Sequence, residues 1–306
     1  MTFGTGSYRY RVVEGWGLGP AGRPFGGVLP GVDVDSEDRV YIARRTPPAL
    51  LVYDRAGRYL TAFGEGVLQN PHGVHVGQDD TIWVTDVNDH TVRQFDRTGR
   101  ILKTLGNVGQ PGAPGQPFNR PTQTATTPAG DLFISDGYGQ FRVHKFDAQG
   151  VLVKSWGSEG TGPGQFKLPH SISLDPFGRL LVPDRENSRI QIFDTEGDYL
   201  GEWSSGRWPG IQWPNQAYVH DDGLIYLSEA GYRVSVWRYT YKPAPSPIHA
   251  PAGNWELLAR WGDMGDGPGQ FAECPHAIAV DSHGDIYVAE VPFVAAGRIQ
   301  KFERIG

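Results

Sequence analysis

Six prolines set the period of this chain and leave it few folds to choose from. Pro30, Pro71, Pro121, Pro169, Pro214 and Pro275 each open a stretch of short strands joined by tight polar turns, and successive anchors lie 41 to 61 positions apart. The second repeat shows the pattern: a strand over 72–76, a turn at Gln78-Asp79-Asp80, then strands over 82–86, 92–96 and 101–105. Asp/Gly-type turns recur at 147–150, 175–178 and 281–284. Four short strands in a unit of this length cannot bury both their faces alone. Units that stack around an axis can, and that is the blade of a β-propeller. The expected fold is therefore all-β, a six-bladed β-propeller of four-stranded blades forming one domain over 1–306. The blades fall at about 25–65, 66–106, 117–157, 165–205, 210–262 and 270–306. The last repeat stops after its third strand. Residues 8–17 resemble the fourth strands that end at Trp156-Gly157 and Trp261-Gly262, so the N-terminal strand is expected to complete the last blade and close the ring.

Composition narrows the functional classes. With 306 residues and 39% hydrophobic content the chain can bury a large core, and its 42 glycines and 24 prolines are periodic punctuation rather than low complexity. A net charge of −6 without a basic run argues against a nucleic-acid partner. No apolar run is long enough to span a bilayer, so no membrane partner is expected. Cys274 is the only cysteine, and the first residues carry no apolar signal core; both point to a reduced, cytoplasmic setting.

The residue after each anchor proline reads Gly31, His72, Thr122, His170, Asn215, His276. In a six-bladed ring His72, His170 and His276 stand on alternate blades, about 120° apart, and three imidazoles converging on an axis make an open metal site. Zinc suits such ligands best, although another divalent transition metal fits three histidines too. His75 lies three residues beyond His72, on the opposite side of a strand, and His90, His144, His220, His249 and His283 have no counterparts in other blades; these are read as ordinary surface or packed histidines.

Fifteen residues beyond the anchors stand Arg45, Asp86, Asp136, Asp184, Glu229 and Glu290. A hairpin turning midway returns them to the rim of the histidines. The acids read as strand-end carboxylates that accept backbone N–H groups. Arg45 breaks the series, and its planar fork suits a substrate carboxylate; a surface or salt-bridging arginine is the plainer alternative. Tyr138 and Arg185 follow just past the same position. Nearby positive charge would lower the pKa of Tyr138 and make it a candidate general base, while an amphipathic rim aromatic is the structural alternative. The Pro-rich insertion over 239–254 lies on the face opposite the histidines, where a self-association contact is more plausible than a lid. Gly157 to Gly164 is followed by no Gly-Lys-Ser/Thr and reads as a blade-junction turn, not a phosphate loop.

The repeats resemble NHL-type blades, with Asp184-Arg185-Glu186-Asn187-Ser188-Arg189-Ile190-Gln191 as an instance. More narrowly, the chain resembles the catalytic core of peptidyl-α-hydroxyglycine α-amidating lyases. The stretches that carry the likeness are Pro71-His72-Gly73, Trp83-Val84-Thr85-Asp86-Val87, Ser135-Asp136-Gly137-Tyr138, Gly164-Gln165-Phe166, Leu168-Pro169-His170-Ser171, Asp184-Arg185-Glu186-Asn187 and Pro275-His276, in the family's order. The resemblance implies a propeller with axial zinc on His72, His170 and His276. It also implies Tyr138 as base, with Arg45 and Arg185 at a small-molecule substrate bearing a carboxylate. The reaction it implies is C–N cleavage of an α-hydroxyglycine-type carbinolamide, or a related α-hydroxy acid derivative, to an amide and a glyoxylate-like product. Two departures stand out. Cys274 replaces the family's Met before the third histidine, and Ala277 replaces an Asp that helps hold a structural calcium, which leaves that calcium without a ligand. Two other classes remain open on the sequence: a noncatalytic NHL-type binding propeller, and a metal-dependent hydrolase of the lactonase or esterase type. The latter generally holds calcium with Asp, Asn and Glu, unlike the ring here.

Overall fold

The computed structural model describes residues 1–18, 25–204, 210–241, 253–291 and 297–306. The chain forms six antiparallel blades around one axis. Blade 1 consists of Gly31–Val34, Val40–Ala43, Leu50–Tyr53 and Tyr59–Phe63. Blade 2 has Pro71–Val76, Ile82–Asp86, Thr91–Phe95 and Ile101–Leu105, and blade 3 has Gln123–Thr126, Leu132–Asp136, Arg142–Phe146 and Leu152–Trp156. Blade 4 begins with a strand of only two residues, Ser173–Leu174, followed by Arg179–Asp184, Arg189–Asp194 and Tyr199–Ser204. Blade 5 comprises Pro214–Val219, Leu224–Glu229, Arg233–Tyr241 and Gly253–Trp261. The one helical turn among the described residues is a 3₁₀ turn, Arg185–Asn187, and no described helix is long and apolar enough to cross a membrane.

The last blade departs from the expected four strands. Cys274–Val280, Ile286–Val291 and Ile299–Arg304 are completed by Tyr8–Val12, and Thr2–Thr5 then adds a fifth strand outside it. Tyr10, Arg11 and Val12 pair with Arg304, Glu303 and Phe302, which closes the ring across the two ends of the chain. The closing strand is shorter than the 8–17 segment expected to supply it; residues after Val12 leave the ladder, though the Val13 N–H still reaches the Lys301 carbonyl.

The core lies between blades. Six apolar clusters among the described residues each bridge one pair of neighbouring blades, such as Phe133 and Val143 of blade 3 against Val182 and Phe193 of blade 4. A middle strand such as Ile82–Asp86 is therefore buried along its whole length, because both its faces meet a neighbour, while the outer strand Ile101–Leu105 is mostly exposed. The 239–254 insertion begins and ends as strand, with Tyr239 paired to Trp255 and Tyr241 to Gly253. Its remainder, and the self-association expected there, lies outside the described residues.

Candidate metal centre

Each axial histidine begins the innermost strand of an even-numbered blade, or lies just before it, and the ladder there places its ring at the axis. His72, His170 and His276 are 2%, 2% and 5% exposed, and one ligand atom from each lies within 4.8 Å of the others. Their ring centroids stand 4.7 to 4.9 Å apart. Every Nδ1 meets a backbone carbonyl of the following odd blade: His72 with Thr122 O at 2.7 Å, His170 with Asn215 O at 2.8 Å, His276 with Pro30 O at 2.7 Å. A carbonyl only accepts, so Nδ1 carries the proton and Nε2 presents a lone pair. The neighbouring blade must come close for this. A Cβ on Gly73 would stand 2.4 Å from the Thr122 carbonyl oxygen.

Burial drives all three imidazoles toward the neutral state. His72 and His170 titrate well below the usual histidine range, chiefly by desolvation, with the neighbouring rings and arginines acting the same way. His276 is pushed down to about 3 by burial and by Arg185. Tyr138 Oη lies 3.1 Å from His72 Nε2 and 3.0 Å from His170 Nε2. One hydroxyl proton cannot serve two acceptors, so this neutral cluster is a better host for a cation than for itself. Imidazole–zinc bonds run about 2.0–2.1 Å, and a small inward shift of each ring lets the three share one ion. The chemistry of the donor set therefore fits a divalent transition metal. It does not fit calcium. Ala277 packs in the apolar cluster between blades 6 and 1, and the histidine trio is the one group of three metal-type ligands among the described residues.

The structure brings Arg45 and Arg185 to the same rim as Tyr138. Arg45 has no ion-pair partner among the described residues, and desolvation lowers its pKa; Tyr138 and Asp86 oppose that shift and Arg120 adds to it. Arg185 contacts Glu186 at 3.0 Å and the Asn215 side chain at 3.4 Å. Tyr138 differs from expectation in one respect. Its hydroxyl is pushed above the ordinary phenol value, because burial outweighs the pull of Arg185 and Arg45. The five acids that share Arg45's repeat position are structural: each accepts a backbone N–H from the loop entering its own blade, as Asp86 does from Gln69 and Asp184 from Lys167 and Leu168. His75 faces away from the trio and contacts Thr126, and His144 is packed between Ser155 and Asp136.

Three residues at the site were not singled out as site residues by sequence. Arg120, just before the third anchor, holds its guanidinium 5.6 Å above the Tyr138 ring. Asn215 orients His170 through its carbonyl and reaches Arg185 through its side chain. The Asn215 amide also meets Cys274 Sγ at 2.9 Å, and burial holds that thiol protonated, with a pKa of about 11. Among the described residues, the mouth above the histidines gathers the guanidiniums of Arg45, Arg120 and Arg185, with Glu186 on Arg185 and Asp86 acting on Arg45, a positive surround that suits an anionic ligand.

Fold and site together define a six-bladed propeller with a three-histidine axial centre, and comparisons with known proteins place that class in a family. The NHL repeat profile matches residues 68–95. NHL repeat-containing protein 3 of Homo sapiens is 32% identical over 96% of this chain and 84% of its own length. Peptidyl-alpha-hydroxyglycine alpha-amidating lyase 1 of Drosophila melanogaster is 30% identical over 84% of this chain, and peptidyl-glycine alpha-amidating monooxygenase A of Xenopus laevis is 37% identical over the same share. The chain spans 49% and 28% of those two proteins. It belongs to the NHL-repeat family, among relatives that include the amidating lyases. Solved propellers share the fold at low identity: a gluconolactonase from Xanthomonas campestris (TM-score 0.66, 12% identity, 99% of this chain and 94% of that one) and a streptogramin B lyase (0.64, 13%, 98% and 99%).

Proposed function

We propose that this chain is a metal-dependent lyase that cleaves the C–N bond of an α-hydroxyglycine-type carbinolamide, or of a related α-hydroxy acid derivative. The observation that carries the reading is the meeting of three neutral axial imidazoles, the Tyr138 hydroxyl and the Arg45–Arg120–Arg185 rim at one place. The 30% identity to peptidyl-alpha-hydroxyglycine alpha-amidating lyase 1 of Drosophila melanogaster over 84% of this chain supports it. A divalent ion on His72, His170 and His276, zinc by ligand type, would supply Lewis acidity toward a substrate hydroxyl. Arg45 and Arg185 bind the substrate carboxylate and fix the carbinol carbon beneath them. A divalent ion on the histidines would add positive charge beside Tyr138 and offset the burial that raises its pKa, so that its phenolate Oη takes the hydroxyl proton. The electron pair of that O–H bond forms the new carbonyl, the C–N pair leaves with the nitrogen, and the nitrogen takes up a proton. The products are an amide and a glyoxylate-like acid, and no water is consumed.

The test is N-benzoyl-α-hydroxyglycine turnover, read as benzamide and glyoxylate, with elemental analysis in parallel. Tyr138→Phe is expected to lose about 100-fold or more in kcat while keeping its metal. Undiminished turnover in Tyr138→Phe removes the tyrosine from the mechanism. Metal-loaded protein that releases no glyoxylate from this carbinol overturns the lyase reading.

A further inference from the structure

The proposed reaction uses two of the guanidiniums at the mouth. One carboxylate is fully engaged by the fork of one arginine and the support of a second, and Arg45 and Arg185 supply both. Arg120 is left over. Its guanidinium lies over the Tyr138 ring with no ion-pair or hydrogen-bond partner among the described residues, and its charge acts against that of Arg45.

The backbone places Arg120 in a particular way. The residue before the anchor proline is Leu29 in blade 1 and Leu168 in blade 4, both buried, and of the six residues at that position Arg120 alone is charged. At Arg120 the backbone turns left-handed, φ 68°, a conformation uncommon for a residue with a Cβ, and a following proline favours extended backbone instead. His90 holds the turn, because its Nδ1 accepts the Arg120 N–H at 3.2 Å. Where the leucines pack inward, this side chain stands exposed at the rim, with its guanidinium 5.6 Å from the centre of the Tyr138 ring. Strained backbone held by a side chain beside a reacting group is a mark of a functional position.

The geometry of the substrate says what passes there. The inference rests on the lyase reading for one point, that the carbinol carbon sits between Tyr138 and the Arg45–Arg185 pair. That carbon bears a hydroxyl turned to Tyr138 Oη, a carboxylate turned to the two arginines, a hydrogen, and the nitrogen with its acyl chain. The hydroxyl and the carboxylate face inward, so the acyl chain leaves toward solvent, past the rim where Arg120 stands. We propose that Arg120 is a specificity-determining residue that selects carbinolamides whose acyl chain ends in a second carboxylate. The substrate class is then a dicarboxylate, an N-acyl-α-hydroxyglycine with a short acidic acyl group. A neutral chain leaves this guanidinium unpaired, and a cationic chain is repelled by it.

Isothermal titration of the full chain with unreactive glycine derivatives tests this. N-succinylglycine ends in a carboxylate; N-succinamoylglycine has the same shape and ends in a neutral amide. The native chain is expected to bind the first about tenfold tighter, as a charge-assisted hydrogen bond commands over a neutral one. Arg120→Gln should bring the two to nearly equal affinity. Arg120→Glu should reverse the order of charge, so that N-(4-aminobutanoyl)glycine, which ends in an ammonium, binds tighter than N-succinylglycine. Equal binding of the first pair by the native chain overturns the proposal. So does a preference that persists in Arg120→Gln, which would put the second carboxylate on Arg45 or Arg185. An equal loss of both ligands in Arg120→Gln overturns it too, since Arg120 would then support the site without selecting for charge. None of these ligands carries the hydroxyl, so binding needs no turnover. A chain that prefers N-succinylglycine yet releases no glyoxylate from a carbinol sinks the lyase reading and leaves the selection by Arg120 standing.

Discussion

Arg45 is partly buried, carries a permanent charge and has no acid within ion-pair distance among the described residues; its Nε has no hydrogen-bond partner. Such a group destabilises the fold it sits in unless a ligand compensates it. Replacing it with an unbranched apolar side chain should therefore stabilise the protein and disable the site. Arg45→Met is expected to gain about 1 kcal/mol, roughly 2 °C in melting temperature, in metal-free protein, while glyoxylate binding to the metal-loaded protein weakens about tenfold or more. A fall in melting temperature would instead make Arg45 a structural residue. Arg45 was legible in the sequence because it interrupts a series of acids, and the histidines because they recur at one position in alternate repeats. Arg120 gave no such signal: it is an exposed residue whose left-handed backbone, φ 68°, turns it over Tyr138, and nothing in the local sequence announces that turn. The carbonyls that fix the three Nδ1 protons belong to the backbone and have no letter in the sequence at all.

At the level of elements, the ring depends on one strand borrowed from the far end of the chain. Tyr10 on that strand is fully buried, stacks on Trp261 of blade 5 at 5.2 Å, and packs in the cluster that joins blades 5 and 6. Tyr10→Ala leaves a cavity at the seam where the circle closes, and should cost about 3 kcal/mol or more, seen as a lower urea midpoint with an unchanged slope. A loss under 1 kcal/mol would mean that the seam is not a stabilising closure. The closing strand could be read from its likeness to other fourth strands. The extra strand Thr2–Thr5 could not, because Gly4 and Gly6 adopt positive φ values of 77° and 56° and interrupt any strand-like pattern. What holds it is tertiary: Phe3 stacks on Trp261 and meets Phe302 edge-on.

Across the whole molecule the histidine trio involves every blade. The rings come from blades 2, 4 and 6, and the carbonyls that hold them come from blades 3, 5 and 1. An ion at the centre therefore closes a hydrogen-bonded hoop through all six, and it can bind that arrangement in the folded chain alone. Ligand linkage then predicts a stability gain set by metal concentration: about 4 kcal/mol at a thousandfold excess over the dissociation constant, several degrees in a domain this large. Adding zinc to chelator-stripped protein should raise the melting temperature by that amount in a single transition, because the hoop leaves no blade outside it. His170→Ala should abolish the shift. A zinc-induced shift that persists in His170→Ala would place the ion elsewhere, and the axial centre would then be a packed cluster of histidines and not a metal site.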